Sequence, residues 1–153
     1  MEELEKYKNQ DVFNPEYLFH GTAHEIEKIE CRQAIDKGNK ENEDYAVFLS
    51  SSFYTAAAYA FSRRLKELNE YCTFSMNNNG EFPAMIFEAE NLPEDLCGYV
   101  YIFDKNDDMI KDNHQFTTQY RCYHDLVPQK VVKVYYKDFE EYFKRENCKK
   151  ISR

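Results

Sequence analysis

A short apolar segment ending in His-Gly-Thr is the first part of the chain with the residue types for binding chemistry. Residues 17–22 read YLFHGT, so His20 and Gly21 stand at the end of a predicted strand. An imidazole at a strand end donates or accepts a hydrogen bond, and a glycine lets a ligand approach the backbone closely. The pattern predicts a ligand site there, although a structural histidine before a turn glycine fits the same letters.

Two aromatic residues at a spacing of eleven form the second feature. Phe48 closes an apolar strand, a serine-rich turn follows, and Tyr59 lies in the alanine-rich helix beyond it. Two rings so placed can face each other and stack a flat heteroaromatic ring, with a gain of about 0.5–2 kcal/mol if that ring is cationic. Ordinary core packing of both rings is the alternative interpretation.

The third feature is a strand with polar residues at alternate positions. Residues 117–124 read TTQYRCYH, and alternation puts Gln119, Arg121 and Tyr123 on one face. An amide and a guanidinium on one strand face need either partners or a solvated cleft, because burying them unpaired is costly. This segment therefore predicts a polar cleft or a solvated sheet face.

Taken together, the three features resemble the ADP-ribosyltransferase superfamily. The nearer branch is named for its His, Tyr and Glu motifs and includes the poly-ADP-ribose polymerases and the rifamycin ADP-ribosyltransferases. Residues 20–22 match its first motif, Phe48 and Tyr59 match the spacing of its second, and residues 118–120 (TQY) match the position of its third. The resemblance covers residues 17–136.

The resemblance implies an α+β fold with a split mixed or antiparallel sheet and a few flanking helices. It implies NAD as co-substrate without a metal, and transfer of ADP-ribose to an acceptor that is a protein, a nucleic acid or a small molecule. His20 would bond a ribose hydroxyl, the Gly21 backbone would bond the carboxamide, and the two rings would sandwich the nicotinamide. The catalytic residues would be His20, Tyr59 and Gln119. The NAD-binding residues would be His20, Gly21, Thr22, Phe48, Ser52, Thr55 and Tyr59.

The chain departs from the family pattern at the third motif and on the helix. Gln119 stands where the polymerases have Glu, and an amide cannot act as a base. The expected activity is therefore mono-ADP-ribosylation or NAD binding alone. Rifamycin-type enzymes use an upstream Asp, for which Asp104, Asp107 and Asp108 are the candidates. The family serine that bonds the carboxamide falls on Ala56, so Ser52 or Thr55 would replace it.

Composition limits the classes of partner. The 153 residues carry 20 Lys and Arg against 28 Asp and Glu, a net charge of −8, which disfavours nonspecific nucleic-acid binding. No apolar run is long enough for a membrane span, and the first ten residues are charged where a signal peptide is apolar. Five widely spaced cysteines without a CxxC pair fit reduced thiols and a cytoplasmic location.

The elements that must position these residues are mostly short strands, with few helices among them. This pattern predicts a single α+β domain over residues 1–153. A helix is predicted at Ser52–Leu68 with a serine N-cap, another at Ala23–Asp36, and a last one at about 138–147. Loops are predicted at Asp36–Asp44, Asn77–Glu81 and Asp104–Asn113. The predicted strands are Tyr17–His20, Tyr45–Ser50, Tyr71–Met76, Ala84–Glu90, Tyr99–Asp104, Thr117–Tyr123 and Lys130–Tyr136.

Four alternatives remain at this point. His20 and His24 have helical metal-ligand spacing but no evident third ligand. Cys122 and His124 contain a nucleophile and a base but lie two apart on one strand face. An RNA phosphotransferase would need a basic site, which the net charge disfavours. The strongest rival is a protein of the same fold that binds NAD, ADP-ribose or another protein without turnover.

Overall fold

Short strands and one principal helix make up most of the described part of the chain. The computed structural model describes residues 4–33, 45–68, 73–77, 84–88, 92–113 and 117–146. The helices are α1 (Glu5–Lys8) and α2 (Phe53–Glu67), with 3-10 turns at Tyr136–Asp138 and Glu140–Tyr142. The strands are β1 (Tyr17–Thr22), β2 (Arg32–Gln33), β3 (Tyr45–Ser50), β4 (Thr73–Asn77), β5 (Ala84–Glu88), β6 (Cys97–Asp104), β7 (Ile110–Lys111), β8 (Gln119–Cys122), β9 (Lys130–Tyr135) and β10 (Phe143–Glu146).

The strands form two sheets. The larger sheet is seven-stranded and antiparallel, in the order β7-β8-β3-β1-β6-β9 with β2 also paired to β3. The smaller sheet has the order β10-β5-β4, in which β10 runs parallel to β5. This arrangement confirms the predicted α+β class, since helices and strands do not alternate over the part of the chain that the structure describes.

Helix α2 packs closely on strands β1 and β6. A Cβ built on Gly21 would lie 1.9 Å from the Ala56 carbonyl oxygen, and one on Gly98 would lie 2.6 Å from the Ala60 Cβ. Bare glycine backbone beneath small alanine side chains therefore lets the helix approach the sheet. Ala57, Phe61 and Leu65 of α2 are also fully buried, and the Phe61 ring packs against Phe139 and Phe143.

The two faces of the larger sheet carry separate hydrophobic cores. Phe19, Val100 and Ile102 pack with α2 on one face. The residues next to them along the strands, such as Leu18 and Tyr101, pack on the opposite face. Strand alternation accounts for this division, because successive side chains point to opposite sides of a sheet. Among the described residues, no helix is long and apolar enough to cross a membrane.

Most of the predicted strands are confirmed within a residue or two. β3 has its predicted bounds, and β1 and β6 extend the predictions by two residues each, at one end. Strands β4 and β5 lie within the segments predicted at 71–76 and 84–90, except that β4 continues to Asn77. Residues 71–72, 89–90 and the predicted loop segments 36–44 and 78–81 lie outside the described residues.

The helix predicted at about 138–147 is wrong for its described residues. Two 3-10 turns and strand β10 replace it, and β10 pairs with β5 from Phe143 opposite Met85. Phe139 and Phe143 are both buried in the core beneath α2, where their rings stack with centroids 6.1 Å apart. Tertiary pairing and packing of these rings thus outweigh the local capping signal at Asp138.

The helix predicted at Ala23–Asp36 is also wrong over its described part, residues 23–33. The backbone N–H of Ile26 donates to the Tyr101 hydroxyl, which in turn donates to the Ile26 carbonyl at 3.1 Å. Ile29 exchanges backbone hydrogen bonds with Leu126, and β2 follows at Arg32. The segment uses its backbone groups in bonds to the sheet, so they do not close helical turns.

Ser52 is the N-cap of α2, as predicted. Its Oγ accepts from the Thr55 N–H at 3.3 Å. We expect Ser52→Ala to lower the free energy of unfolding by about 1 kcal/mol, since one N–H at the helix start loses its acceptor. Ser52→Gly loses the same acceptor but should cost only a few tenths, because glycine is itself a favoured N-cap residue. Urea unfolding of the three proteins measures the difference. An alanine variant as stable as the wild type would contradict the capping role.

Candidate functional site

The candidate site lies in the larger sheet, where the pairing between β1 and β3 ends. Strand β1 pairs with β6 along its whole length, from Tyr17 opposite Asp104 to Thr22 opposite Tyr99. With β3, by contrast, it pairs only at Phe19 opposite Ser50. Continuing that register would bring Gly21 opposite Phe48. The strands separate before that point and leave a gap between these two residues.

His20 bridges this gap through its side chain. The Nδ1 atom lies 2.7 Å from the Phe48 carbonyl oxygen. A carbonyl only accepts, so Nδ1 carries the proton, and Nε2 is an acceptor whenever the imidazole is neutral. The predicted first-motif histidine and the predicted ring residue of the second motif are therefore in direct contact. The hydrogen bond also replaces one that the β1–β3 ladder would have supplied to Phe48.

Gly21 faces the same gap with its backbone. Because Phe19 pairs with β3, Gly21 two positions later turns its N–H and C=O towards that edge as well. Its carbonyl accepts from an Arg63 guanidinium nitrogen at 2.7 Å. The N–H of Gly21 is thus directed into the gap, beside the hydrogen bond that joins His20 to Phe48.

The two predicted ring residues border this region from different elements. Phe48 lies on β3, and Tyr59 lies on the flank of α2 that carries Arg63, with 38% of its surface exposed. Each ring has a guanidinium near it. The Arg63 Cζ is 6.0 Å from the Tyr59 ring centroid, and the Arg121 Cζ is 5.1 Å from that of Phe48. Both arrangements are within the range of a cation–π contact.

A carboxylate that the sequence analysis missed completes the third motif. Asp112 Oδ2 accepts from Gln119 Nε2 at 2.7 Å, and Oδ1 accepts from Arg121 Nε at 2.7 Å. Gln119 and Arg121 lie on one face of β8, as predicted, and Arg121 is opposite Phe48 in the register. Asp112 follows directly after β7, inside a predicted loop, so only the β7–β8 pairing brings it to Gln119.

The hydroxyl residues among the predicted NAD ligands have structural partners. Thr22 Oγ1 donates to the His24 carbonyl at 2.6 Å, and Ser52 caps α2. Thr22, Ser52 and Thr55 are all buried, with at most 7% of each exposed. Their positions therefore account for these residue types without a ligand.

The three predicted substitute carboxylates lie away from Gln119. Asp104 ends β6 opposite Tyr17, at the other end of β1 from Gly21. Asp107 and Asp108 are exposed in the turn before β7, and an Asp108 oxygen lies 3.2 Å from His124 Nε2. Of these carboxylates and Asp112, it is Asp112 that contacts the third motif.

The two alternative histidine sites have other partners. His24 Nε2 is 2.6 Å from a Glu67 oxygen, on the exposed end of α2. The Asp125 carbonyl, and after it the Asp108 carboxylate, raise the pKa of His124 above its ordinary value. Within the described ranges, no three His, Cys, Asp or Glu side chains are grouped to hold a metal ion.

Comparisons with known proteins complete the description of this region. No protein-family model matches the chain, and searches of the curated proteins and of the solved structures also found no match.

Proposed function

We propose that this chain is an NAD-dependent mono-ADP-ribosyltransferase, which breaks the bond between nicotinamide and ribose and transfers ADP-ribose to an acceptor. The observation that carries the proposal is the gap between β1 and β3. It brings the Gly21 N–H and the His20 imidazole together beside Phe48, whose backbone carbonyl contacts the imidazole. These are the groups that the family resemblance assigns to the nicotinamide end of NAD.

The chemical groups around the gap suit this ligand. The Gly21 N–H donates to the carboxamide oxygen, and neutral His20 Nε2 accepts from a ribose hydroxyl. The nicotinamide ring stacks between Phe48 and Tyr59, the ring residues on either side. Arg63, which is held at the Gly21 carbonyl, meets the pyrophosphate. Ser52 and Thr55 have no part in this proposal, because the Ser52 hydroxyl caps α2 and Thr55 is buried.

The reaction needs little proton transfer at its first step. The nicotinamide leaves as a neutral ring with the electron pair of the bond, and positive charge develops on the ribose. Groups that hold the ribose in place favour this oxocarbenium-like state by orientation. Gln119 hydrogen-bonds the ribose but removes no proton from the acceptor. Acceptors that are already nucleophilic at neutral pH are therefore favoured.

Incubation of the purified protein with NAD tests the proposal. Nicotinamide release is measured by chromatography, and mass spectrometry of a cell extract incubated with protein and NAD detects the addition of one ADP-ribose. Nicotinamide release and a labelled acceptor are expected. A protein that neither binds NAD nor releases nicotinamide would contradict the proposal.

A second candidate function is binding of NAD or ADP-ribose without turnover. Gln119 supplies no base, and both oxygens of the neighbouring Asp112 already accept hydrogen bonds. These facts favour a binding module. Calorimetric binding of NAD that stays intact over many hours would select this alternative, whereas nicotinamide release would exclude it.

Tyr59 provides a separate test of the ring stack. Loss of one ring contact worth about 0.5–1.5 kcal/mol should raise the Kd for NAD roughly twofold to twelvefold in Tyr59→Ala. The variant Tyr59→Phe keeps the ring and should keep the affinity. Calorimetric titration with NAD measures both. Tyr135→Ala is the matched control, since Tyr135 has similar exposure (36%) and lysines near its ring but lies on β9. Equal affinities of Tyr59→Ala and wild type would remove Tyr59 from the site.

A further inference from the structure

Asp112 holds the two polar side chains of β8 at once. Its Oδ1 lies 2.7 Å from Arg121 Nε, while its Oδ2 lies 2.7 Å from Gln119 Nε2 and 3.3 Å from an Arg121 terminal nitrogen. The Asp112 side chain is 11% exposed and that of Arg121 is 12% exposed. A carboxylate this buried is costly unless it is paired and hydrogen-bonded, and here it is both.

The contact with Asp112 fixes the orientation of the Gln119 side-chain amide. A carboxylate only accepts hydrogen bonds, so the Nε2 end of the amide must turn towards Asp112. The Oε1 atom is then on the side of the amide carbon away from Asp112. Gln119 therefore presents an acceptor in that direction, as a glutamate at this position would.

We infer that Asp112 is a positioning residue of the site, which fixes Gln119 as an acceptor for a ribose hydroxyl and holds Arg121 as a neutralised ion pair over Phe48. The inference rests on the proposed function for the identity of the ligand. Asp112 does not serve as the base, because both of its oxygens already accept from Arg121 and Gln119. The negative charge of Asp112 also neutralises Arg121. A cationic nicotinamide ring beside Phe48 is therefore not repelled, as it would be by an unpaired guanidinium.

The variant Asp112→Asn reverses the polarity of Gln119. An asparagine turns its oxygen to Arg121 Nε and its Nδ2 to Gln119, so the glutamine must rotate to offer Oε1 to that donor. Its Nε2 then faces the ligand, where an acceptor is needed. The double variant Asp112→Asn/Gln119→Glu exchanges the carboxylate and the amide between the two positions. It restores the acceptor at residue 119, keeps the hydrogen bonds of residue 112 to Arg121 Nε and to residue 119, and conserves the net charge, while the longer contact at 3.3 Å to the Arg121 terminal nitrogen is lost.

The kinetic experiment compares wild type, the single variant and the double variant for nicotinamide release from NAD. We expect Asp112→Asn to lower kcat/KM by about tenfold or more and the double variant to recover most of the loss. Asp95→Asn is the control, because Asp95 is exposed in the turn before β6 and its change removes the same charge. It should match the wild type. Full activity in Asp112→Asn, or no recovery in the double variant, would overturn the inference.

A second measurement needs neither NAD nor a variant. In the wild-type protein, the Gln119 side-chain amide protons and the Arg121 Nε proton should exchange with solvent more slowly than the amide protons of the exposed Gln129, as followed by NMR. Rapid exchange at residues 119 and 121 would overturn the inference even if the protein turns NAD over. Slow exchange in a protein that does not bind NAD would instead support Asp112 as the group that orients Gln119 and refute the proposed function.

Discussion

Replacement of His20 by alanine should abolish nicotinamide release. The imidazole contacts Phe48 across the gap in the sheet and, under the proposed function, holds the ribose. A misplaced reacting group costs roughly a hundredfold in rate, so we expect kcat/KM for NAD to fall by at least about that factor. The loss of one partly buried hydrogen bond should lower the free energy of unfolding by only about 1 kcal/mol. The activity loss should therefore greatly exceed the loss of stability.

Two further histidine variants sharpen this prediction. His20→Gln keeps a donor and an acceptor on the side chain and should retain part of the activity. His124→Ala removes an exposed imidazole that contacts Asp108 and should leave nicotinamide release unchanged. Chromatographic assays of the three variants, with thermal unfolding beside them, give the comparison. If His20→Ala keeps the wild-type affinity and turnover, the gap between β1 and β3 is not the NAD site.

A methyl group added at Gly21 should have the largest effect on stability. Its Cβ would lie 1.9 Å from the Ala56 carbonyl oxygen and 3.0 Å from the Ala60 nitrogen, both on the backbone of α2. Relief requires movement of the whole helix, because no side chain is available to rotate away. We expect Gly21→Ala to lower the free energy of unfolding by about 3 kcal/mol or more. Urea unfolding followed by circular dichroism measures it.

Gly98 provides the matched comparison. An added Cβ there would lie 2.6 Å from the Cβ of Ala60, so part of the clash comes from a side chain. Gly98→Ala should therefore be destabilised less than Gly21→Ala. The change Ala60→Gly should relieve part of the effect of Gly98→Ala but little of that of Gly21→Ala. Equal stability of Gly21→Ala and wild type would show that α2 does not approach β1 as closely as described.

The positions of the main strands and of α2 were predictable from the sequence. Apolar and aromatic runs between polar loops mark β1, β3 and β6, because strands that are largely buried must be rich in such residues, and the valine-rich run of β9 marks a strand by its β-branched residues. The N-cap at Ser52 and the apolar spacing after it mark α2, since capping and helical periodicity are local properties. The place of His20 on β1 and the common face of Gln119 and Arg121 followed from the same local rules, whereas the predicted strand end at His20 is wrong, because β1 stays paired with β6 as far as Thr22.

Tertiary structure decided the rest, because the remaining features depend on residues far apart in the chain. Asp112 reaches Gln119 only through the pairing of β7 with β8, and no spacing rule contains that pairing. The segment after Asp138 carries a helix-capping pattern, yet burial of Phe139 and Phe143 and pairing with β5 make it 3-10 turns and a strand. The gap beside Gly21 likewise arises where β1 and β3 stop pairing, a property of two strands together.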